Sequence, residues 1–420
     1  MQKDSSKFDE AIKNSNFYKL SKKEREYIKN FYDMYPLSFQ EIKILINIAN
    51  DLKIWGEGGI SDIDLCLDKE TTDLKSAKKK ILNNIRKRYE ELKNRPNSYK
   101  NFTTKEEYHP KGVKTQTVQK DTLGLGDCPV ASEKTRCCNL LTLDAVESCG
   151  FDCSYCSIQS FYNQNRVIFN KNFAKKLKEI KLDPSKRYHI GTGQSSDSLM
   201  WGNKEGILDA LFEFARKNPN VLLEFKTKSD NINYLLENEI PKNIVTTWSL
   251  NTPIIIKNEE HLTASLDRRI DSARRVADKG AKVGFHFHPI VHYENYLDEY
   301  KEIWQRLQDE FSSDEVCMVS FGTLTYIKPV LKQIRAREFK TKIYQMPLVD
   351  VEGKLSYPDE IKIEMFKNAY DSFKSWHGKV FFYLCMEPHR LWRECFGYEY
   401  KSNEEFEKDM IDSYFKKVEK

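Results

Sequence analysis

Apolar residues recur near a helical period early in the chain. Phe39, Ile42, Ile44, Leu45, Ile48 and Leu52 do so within 38–55, and 75–92 repeats the pattern. The first hundred residues are therefore expected to be helical. Residues 94–120, which carry Arg95-Pro96-Asn97-Ser98, are polar and without period and read as a linker or wrapping segment. The rhythm then changes. Short β-branched or apolar runs at 140–146, 188–192, 221–226, 244–250, 282–290 and 316–321 alternate with charged amphipathic stretches such as 203–217, 265–279 and 296–311. That alternation predicts an α/β fold of parallel β/α units. A last apolar run, 379–386, would close or edge the sheet. The chain thus divides into a helical extension with linker (1–120), a β/α region (121–330) and a C-terminal α+β extension (331–420).

Composition narrows the class. Of 420 residues, 40% are hydrophobic and 12% aromatic, enough for a sizeable core. No apolar stretch approaches the roughly eighteen residues that span a bilayer, so no membrane partner is expected. Residues 1–13 show no apolar leader, which makes the cytoplasm the expected location. Lysine and arginine total 68 against 63 acidic residues, a net charge of +5 that describes a solvated surface more than a nucleic-acid footprint. A basic peak at 75–93 reads first as a solvated helix face and second as a phosphate-binding stripe. Ten cysteines in a chain of this length fit a reducing compartment.

Three of those cysteines carry chemistry. Cys149, Cys153 and Cys156 stand as Cys-x-x-x-Cys-x-x-Cys directly after the first strand of the β/α region. A 4Fe-4S cluster takes one protein ligand per iron, so three thiolates leave one iron open to a small molecule. A redox pair, half a zinc site and buried inert thiols are the alternatives. With Tyr155 before the last cysteine, the motif resembles that of the radical S-adenosyl-L-methionine superfamily. That resemblance implies a partial (β/α)6 TIM-type barrel, in which chemistry sits at the C-terminal ends of strands. It also implies S-adenosyl-L-methionine as cofactor and an electron donor such as flavodoxin or ferredoxin.

A narrower resemblance follows from motif order. Ser157-Ile158-Gln159 follows the last cysteine, Ser196-Asp197 the second strand and Thr227-Lys228 the third, and Ser249-Leu250-Asn251 stands on the fourth. Leu266-Asp267-Arg268-Arg269-Ile270 then opens a helix, and Gly284 to Pro289 forms the next strand. This order resembles the spore photoproduct lyase family, which implies Ser196, Asp197, Lys228, Ser249, Asn251 and His288 as cofactor-binding candidates and damaged DNA as a possible partner. The family's first step would be hydrogen abstraction by a 5′-deoxyadenosyl radical. Gly191-Thr192-Gly193 either admits a nucleoside to the backbone or is a plain strand-to-helix turn.

Departures from the family pattern bear on function. Where the family has a hydrogen-donating cysteine shortly before Ser-Asp, this chain has Gln194, and Ser157 replaces the tyrosine after the last cluster cysteine. Cys385 and Tyr155 are the remaining candidates for catalytic roles, Cys385 as hydrogen-atom donor, with a buried inert thiol as its plainer reading. Cys128, Cys137 and Cys138 read first as structural thiols and second as ligands of zinc or an auxiliary cluster. His286 and His288 alternate on one strand face, with His292 just beyond, and so would line the substrate cavity, hydrogen-bond a phosphate or bind a metal. The expectation is a radical enzyme of lyase type. The alternatives are the same chemistry on a nucleotide, peptide or metabolite, or a non-catalytic zinc- or cluster-bearing nucleic-acid-binding protein.

Overall fold

The computed structural model describes residues 6–13, 15–63, 73–104, 112–128, 135–157, 166–351 and 353–419. Two compact units emerge. One comprises Met1–His109, His292–Glu294 and Ile327–Val349, and the other Pro110–Val291, Asn295–Tyr326 and Asp350–Lys420.

The first unit is helical, as its period predicts, with helices Lys22–Met34, Phe39–Trp55 and Leu74–Asn94. Ser38 and Glu41 form a reciprocal capping box at the second of these, satisfying two otherwise orphaned N–H groups. Buried Asp51 anchors the unit by accepting from Arg335 at 2.7 Å, Tyr89 at 2.9 Å and Tyr344 at 3.0 Å. Among the described residues, no helix is long and apolar enough to cross a membrane.

The second unit is built on an eight-stranded sheet: β1 (Gly124–Asp127), β2 (Leu141–Asp144), β3 (Tyr188–Thr192), β4 (Val221–Thr227), β5 (Ile244–Ser249), β6 (Lys282–Ile290), β7 (Val316–Thr323) and β8 (Phe381–Leu384). Its order runs β8-β7-β6-β5-β4-β3-β2-β1. Strands β2 to β8 are parallel and β1 is antiparallel. The six predicted strands are all present, and the 379–386 run supplies an edge strand. The 94–120 segment is not wholly a linker: Lys114–Val118 pairs in parallel with Arg166–Asn170, a polar strand without the apolar alternation that would have revealed it.

Strands β3 to β8 are buried along nearly their whole length, which is why they read as near-continuous apolar runs. On β4, Phe225 stacks on Phe212 of helix Ile207–Lys217, while the alternate residues Glu224 and Lys226 bond across the opposite face to β5 and β6 side chains. That inner face carries the polar chemistry. Ahead of β2, Thr135 bridges Pro388 beyond β8 at the far edge of the sheet. There the Arg136 guanidinium donates to the carbonyls of Tyr400 at 2.7 Å and Lys401 at 2.8 Å, so a strap joins the two edges.

Candidate radical-cofactor site at the strand ends

The cysteine loop leaves β2 through Val146–Glu147 and is pinned by a short strand, Asp152–Cys153, paired antiparallel with Glu260–His261. A side chain at Gly150 would crowd its neighbours. A Cβ there would lie 2.4 Å from the Met200 methyl and 2.8 Å from the Trp201 ring. Cys153 is buried, Cys149 and Cys156 partly so, and the Cys149 Sγ lies 3.9 Å from the Met200 sulfur. Burial, with the Asp197 carboxylate and the neighbouring Cys156 thiol, pushes the Cys149 thiol well above its usual range. Burial and Glu260 do the same to Cys153. Thiolates in such a place need a strongly positive partner. Among the described residues, no group of three or more His, Cys, Asp or Glu is gathered about a single metal position. A cluster that takes each thiolate on a different iron suits three separated, mutually neighbouring thiols.

Beside the loop lies Glu260, which carries no signal in the sequence beyond its place in a polar run. Its Oε1 accepts from Lys228 at 3.1 Å, Asn251 at 3.3 Å and the Tyr155 hydroxyl, and its Oε2 faces Arg269 at 2.7 Å. Burial alone would raise this carboxyl, but the Lys228 and Arg269 charges prevail and hold it down to about 2. Arg269 is wholly buried and also donates to the Ser249 carbonyl at 2.8 Å and the Ala264 carbonyl at 2.9 Å. The Leu-Asp-x-Arg-Ile motif thereby acquires a physical purpose. It supplies the cation that lets a carboxylate sit behind the cysteine loop.

Asp197 and Asn251 are engaged within the chain. Asp197 accepts from the backbone N–H groups of Leu199, Met200 and Lys228 and from the Thr227 hydroxyl, all between 2.7 and 3.0 Å, tying the loop after β3 to the end of β4. Asn251 donates to Glu260 and to the Pro289 carbonyl and accepts from Tyr300 at 2.5 Å. Ser196 differs: its hydroxyl is buried and has no hydrogen-bond partner, an arrangement a bound ligand would relieve. Ser249 is buried at the end of β5. Ile158 and Gln159 lie outside the described residues.

A second polar group crosses the inner face. Glu224 accepts from His286 Nε2 at 2.6 Å, His189 Nε2 at 2.8 Å and Thr247 at 2.7 Å. His286 Nδ1 lies 2.5 Å from Ser320 Oγ, which lies 3.0 Å from His288 Nε2, and His288 Nδ1 lies 3.5 Å from Lys226 Nζ. Glu224 and Lys226 belong to none of the sequence motifs. The period-two spacing of Glu224, Lys226 and Lys228 on one strand was the signal available.

The four thiols Cys128, Cys137, Cys138 and Cys385 line one cavity of about 20 Å³ under the strap, a companionship that chain separation hides. Burial pushes the Cys385 thiol up to about 12, with the Lys226 charge acting in the opposite direction.

The sheet, its helices and the position of this loop at the strand ends define a radical S-adenosylmethionine type of barrel. The sequence profile of the family named "Spore photoproduct lyase" matches residues 137–352, just over half of the chain. The chain belongs to the spore photoproduct lyase family. It is 30% identical over 180 residues to the spore photoproduct lyase of Clostridium acetobutylicum, covering 41% of this chain and 53% of that one. With the Geobacillus lyase it shares 26% over 202 residues, covering 46% and 59%. The chain thus spans about half the length of the curated relatives it matches. Among solved structures, spore photoproduct lyase complexed with dinucleoside spore photoproduct superposes with a TM-score of 0.53 at 20% identity, over 64% of this chain and 81% of that one. A double mutant of the lyase with bound AdoMet and the same dinucleoside gives 0.52 at 20% identity, with the same coverage. These likenesses establish the partial-barrel fold expected from the sequence.

Proposed function

We propose that this protein is a radical S-adenosyl-L-methionine enzyme acting on a DNA lesion of the spore photoproduct type. The observation that carries the reading is the three-thiol loop after β2, inside the segment that matches the family. Cys149, Cys153 and Cys156 would hold a 4Fe-4S cluster. Bound there, the cluster and S-adenosyl-L-methionine would supply a 5′-deoxyadenosyl radical that abstracts hydrogen.

The chain's own residues then divide the work. Ser196 offers an unused hydroxyl to the cofactor, and Ser249, Lys228 and His288 stand at neighbouring strand ends. Asp197 and Asn251 act by fixing the loops that carry these donors. Tyr155 secures the cysteine loop through Glu260. With glutamine at 194, Cys385 is the thiol that returns a hydrogen atom to the substrate's carbon radical. Its S–H bond breaks, a C–H bond forms, and the thiyl left behind takes one electron from a low-potential reductant such as flavodoxin or ferredoxin and one proton from solvent. A second reading, the same chemistry on a nucleotide, peptide or metabolite, is favoured by Gln194 and Ser157.

The test is anaerobic reconstitution with iron and sulfide, followed by dithionite and S-adenosyl-L-methionine. Release of 5′-deoxyadenosine by the wild type and its loss in Cys153→Ala is the expected result. A fully loaded cluster without release would sink the proposal. Conversion of dinucleoside spore photoproduct, beside unrelated substrates, separates the two readings.

A further inference from the structure

Both ends of the polar chain on the inner face fix its direction. A carboxylate only accepts, so His286 donates from Nε2 to Glu224. Burial and the Lys226 charge push the His286 imidazole down to about 4. At neutral pH it is therefore uncharged and its Nδ1 accepts, from the hydroxyl of Ser320. That hydroxyl has one proton, so it accepts in turn from Nε2 of His288, leaving His288 Nδ1 to accept from Lys226. An ammonium only donates, so the far end demands the same order. Four hydrogen bonds thus run one way, from a cation at the strand ends to a carboxylate deep in the barrel.

The cation is the unfinished part. Lys228, two residues on, is neutralised by Glu260 at 3.1 Å. Among the described residues, Lys226 has no carboxylate within ion-pair distance, and its one polar side-chain contact is the uncharged His288. It is half-buried, and a half-buried ammonium without a counter-charge is costly. Gly322 beside His288 leaves the space over the ring clear: a Cβ there would stand 3.2 Å from His288 Cδ2.

We infer that Lys226 is an anion-binding residue at the barrel mouth, taking a carboxylate or a phosphodiester, and that Glu224, His286, Ser320 and His288 are positioning residues that aim its ammonium. The inference rests on reading the barrel mouth as the reaction site. It goes further in assigning an anion to Lys226, which is not among the residues the cofactor reading uses. The methionine carboxylate of S-adenosyl-L-methionine and the backbone of a nucleic-acid substrate are the two sources of such an anion.

The experiment uses the reconstituted full chain with two probes, S-adenosyl-L-methionine by equilibrium dialysis and a fluorescent single-stranded deoxyoligonucleotide by anisotropy. Lys226→Met is expected to weaken one probe by about 10- to 100-fold, the range for a charge-assisted hydrogen bond, while Lys226→Arg recovers most of it. If the oligonucleotide responds, its log–log salt dependence also falls by about 0.7, one phosphate contact on a single strand. Ser320→Ala should weaken the same probe by a smaller factor and leave the other probe unchanged, with a modest fall in melting temperature from the two imidazole nitrogens it strands. Both probes within about 2-fold of wild type in Lys226→Met, or a wild type that binds neither, overturns the assignment. Ser320→Ala weakening both probes together with a fall in melting temperature overturns the positioning role. Release of 5′-deoxyadenosine without any Lys226 effect sinks the anion site alone. A Lys226 effect on the oligonucleotide without release sinks the radical chemistry alone.

Discussion

Replacing Glu260 by glutamine keeps the side chain's shape and removes the charge between Lys228 and Arg269. The folded carboxyl is held near 2 against an ordinary value of 4.5. At about 1.4 kcal/mol per pH unit that difference amounts to about 3 kcal/mol. Breaking a buried pair by deleting one partner costs about 3–5 kcal/mol, and Arg269 is wholly enclosed, so the two routes agree. The sign follows from the depressed value. The contribution is complete above pH 4.5 and disappears as the pH falls towards 2, where a protonated Glu260 resembles the amide. Urea unfolding of wild type and Glu260→Gln from pH 7 to pH 2.5 should therefore show a gap of about 3 kcal/mol at neutrality that narrows below pH 4.5. A gap under about 1 kcal/mol at pH 7, or one that stays constant into acid, would refute the assignment of Glu260 as the charged hub behind the cysteine loop.

Gly150→Ala should lose about 1–3 kcal/mol of stability, because the Met200 methyl can move aside more readily than the Trp201 ring; a melting curve and the iron content after reconstitution should fall together. Asp197→Ala strands three backbone donors and the Thr227 hydroxyl; a loss of at least about 2 kcal/mol in chemical unfolding is expected. His286 is pushed from 6.5 down to about 4, first by burial and then by Lys226. The unfolded chain then binds the extra proton first, and stability declines as pH falls from 6.5 towards 4. Nitrogen NMR of labelled histidine should show this ring uncharged at pH 5.

Much was legible before any coordinates. The motif spacing located the cysteine loop because a cluster needs thiolates at short intervals on a loop after a strand, and both spacing and loop are local properties. The six strand runs were legible because strands buried along most of their length are apolar along it. By contrast, Lys114–Val118 is mostly exposed and polar, so nothing in its composition set it apart from a linker. Arg269 was visible as part of a motif, but its role was not, since the carboxylate it neutralises lies outside the motif.

What the sequence determined by itself was therefore what depends on neighbours along the chain: helical period in the first unit, alternating β/α rhythm in the second, and three thiols at cluster spacing. Tertiary structure alone decided which polar groups meet. Folding brought Glu260 to Arg269, Lys228 and Tyr155, and it gathered Cys128, Cys137 and Cys138 around Cys385. It also aligned residues of β4, β6 and β7 into one directed hydrogen-bond chain. The physical reason is that neutralising a buried charge and satisfying a buried donor are matters of distance in space. In a parallel sheet, each adjoining strand lies a whole helical crossover away along the chain.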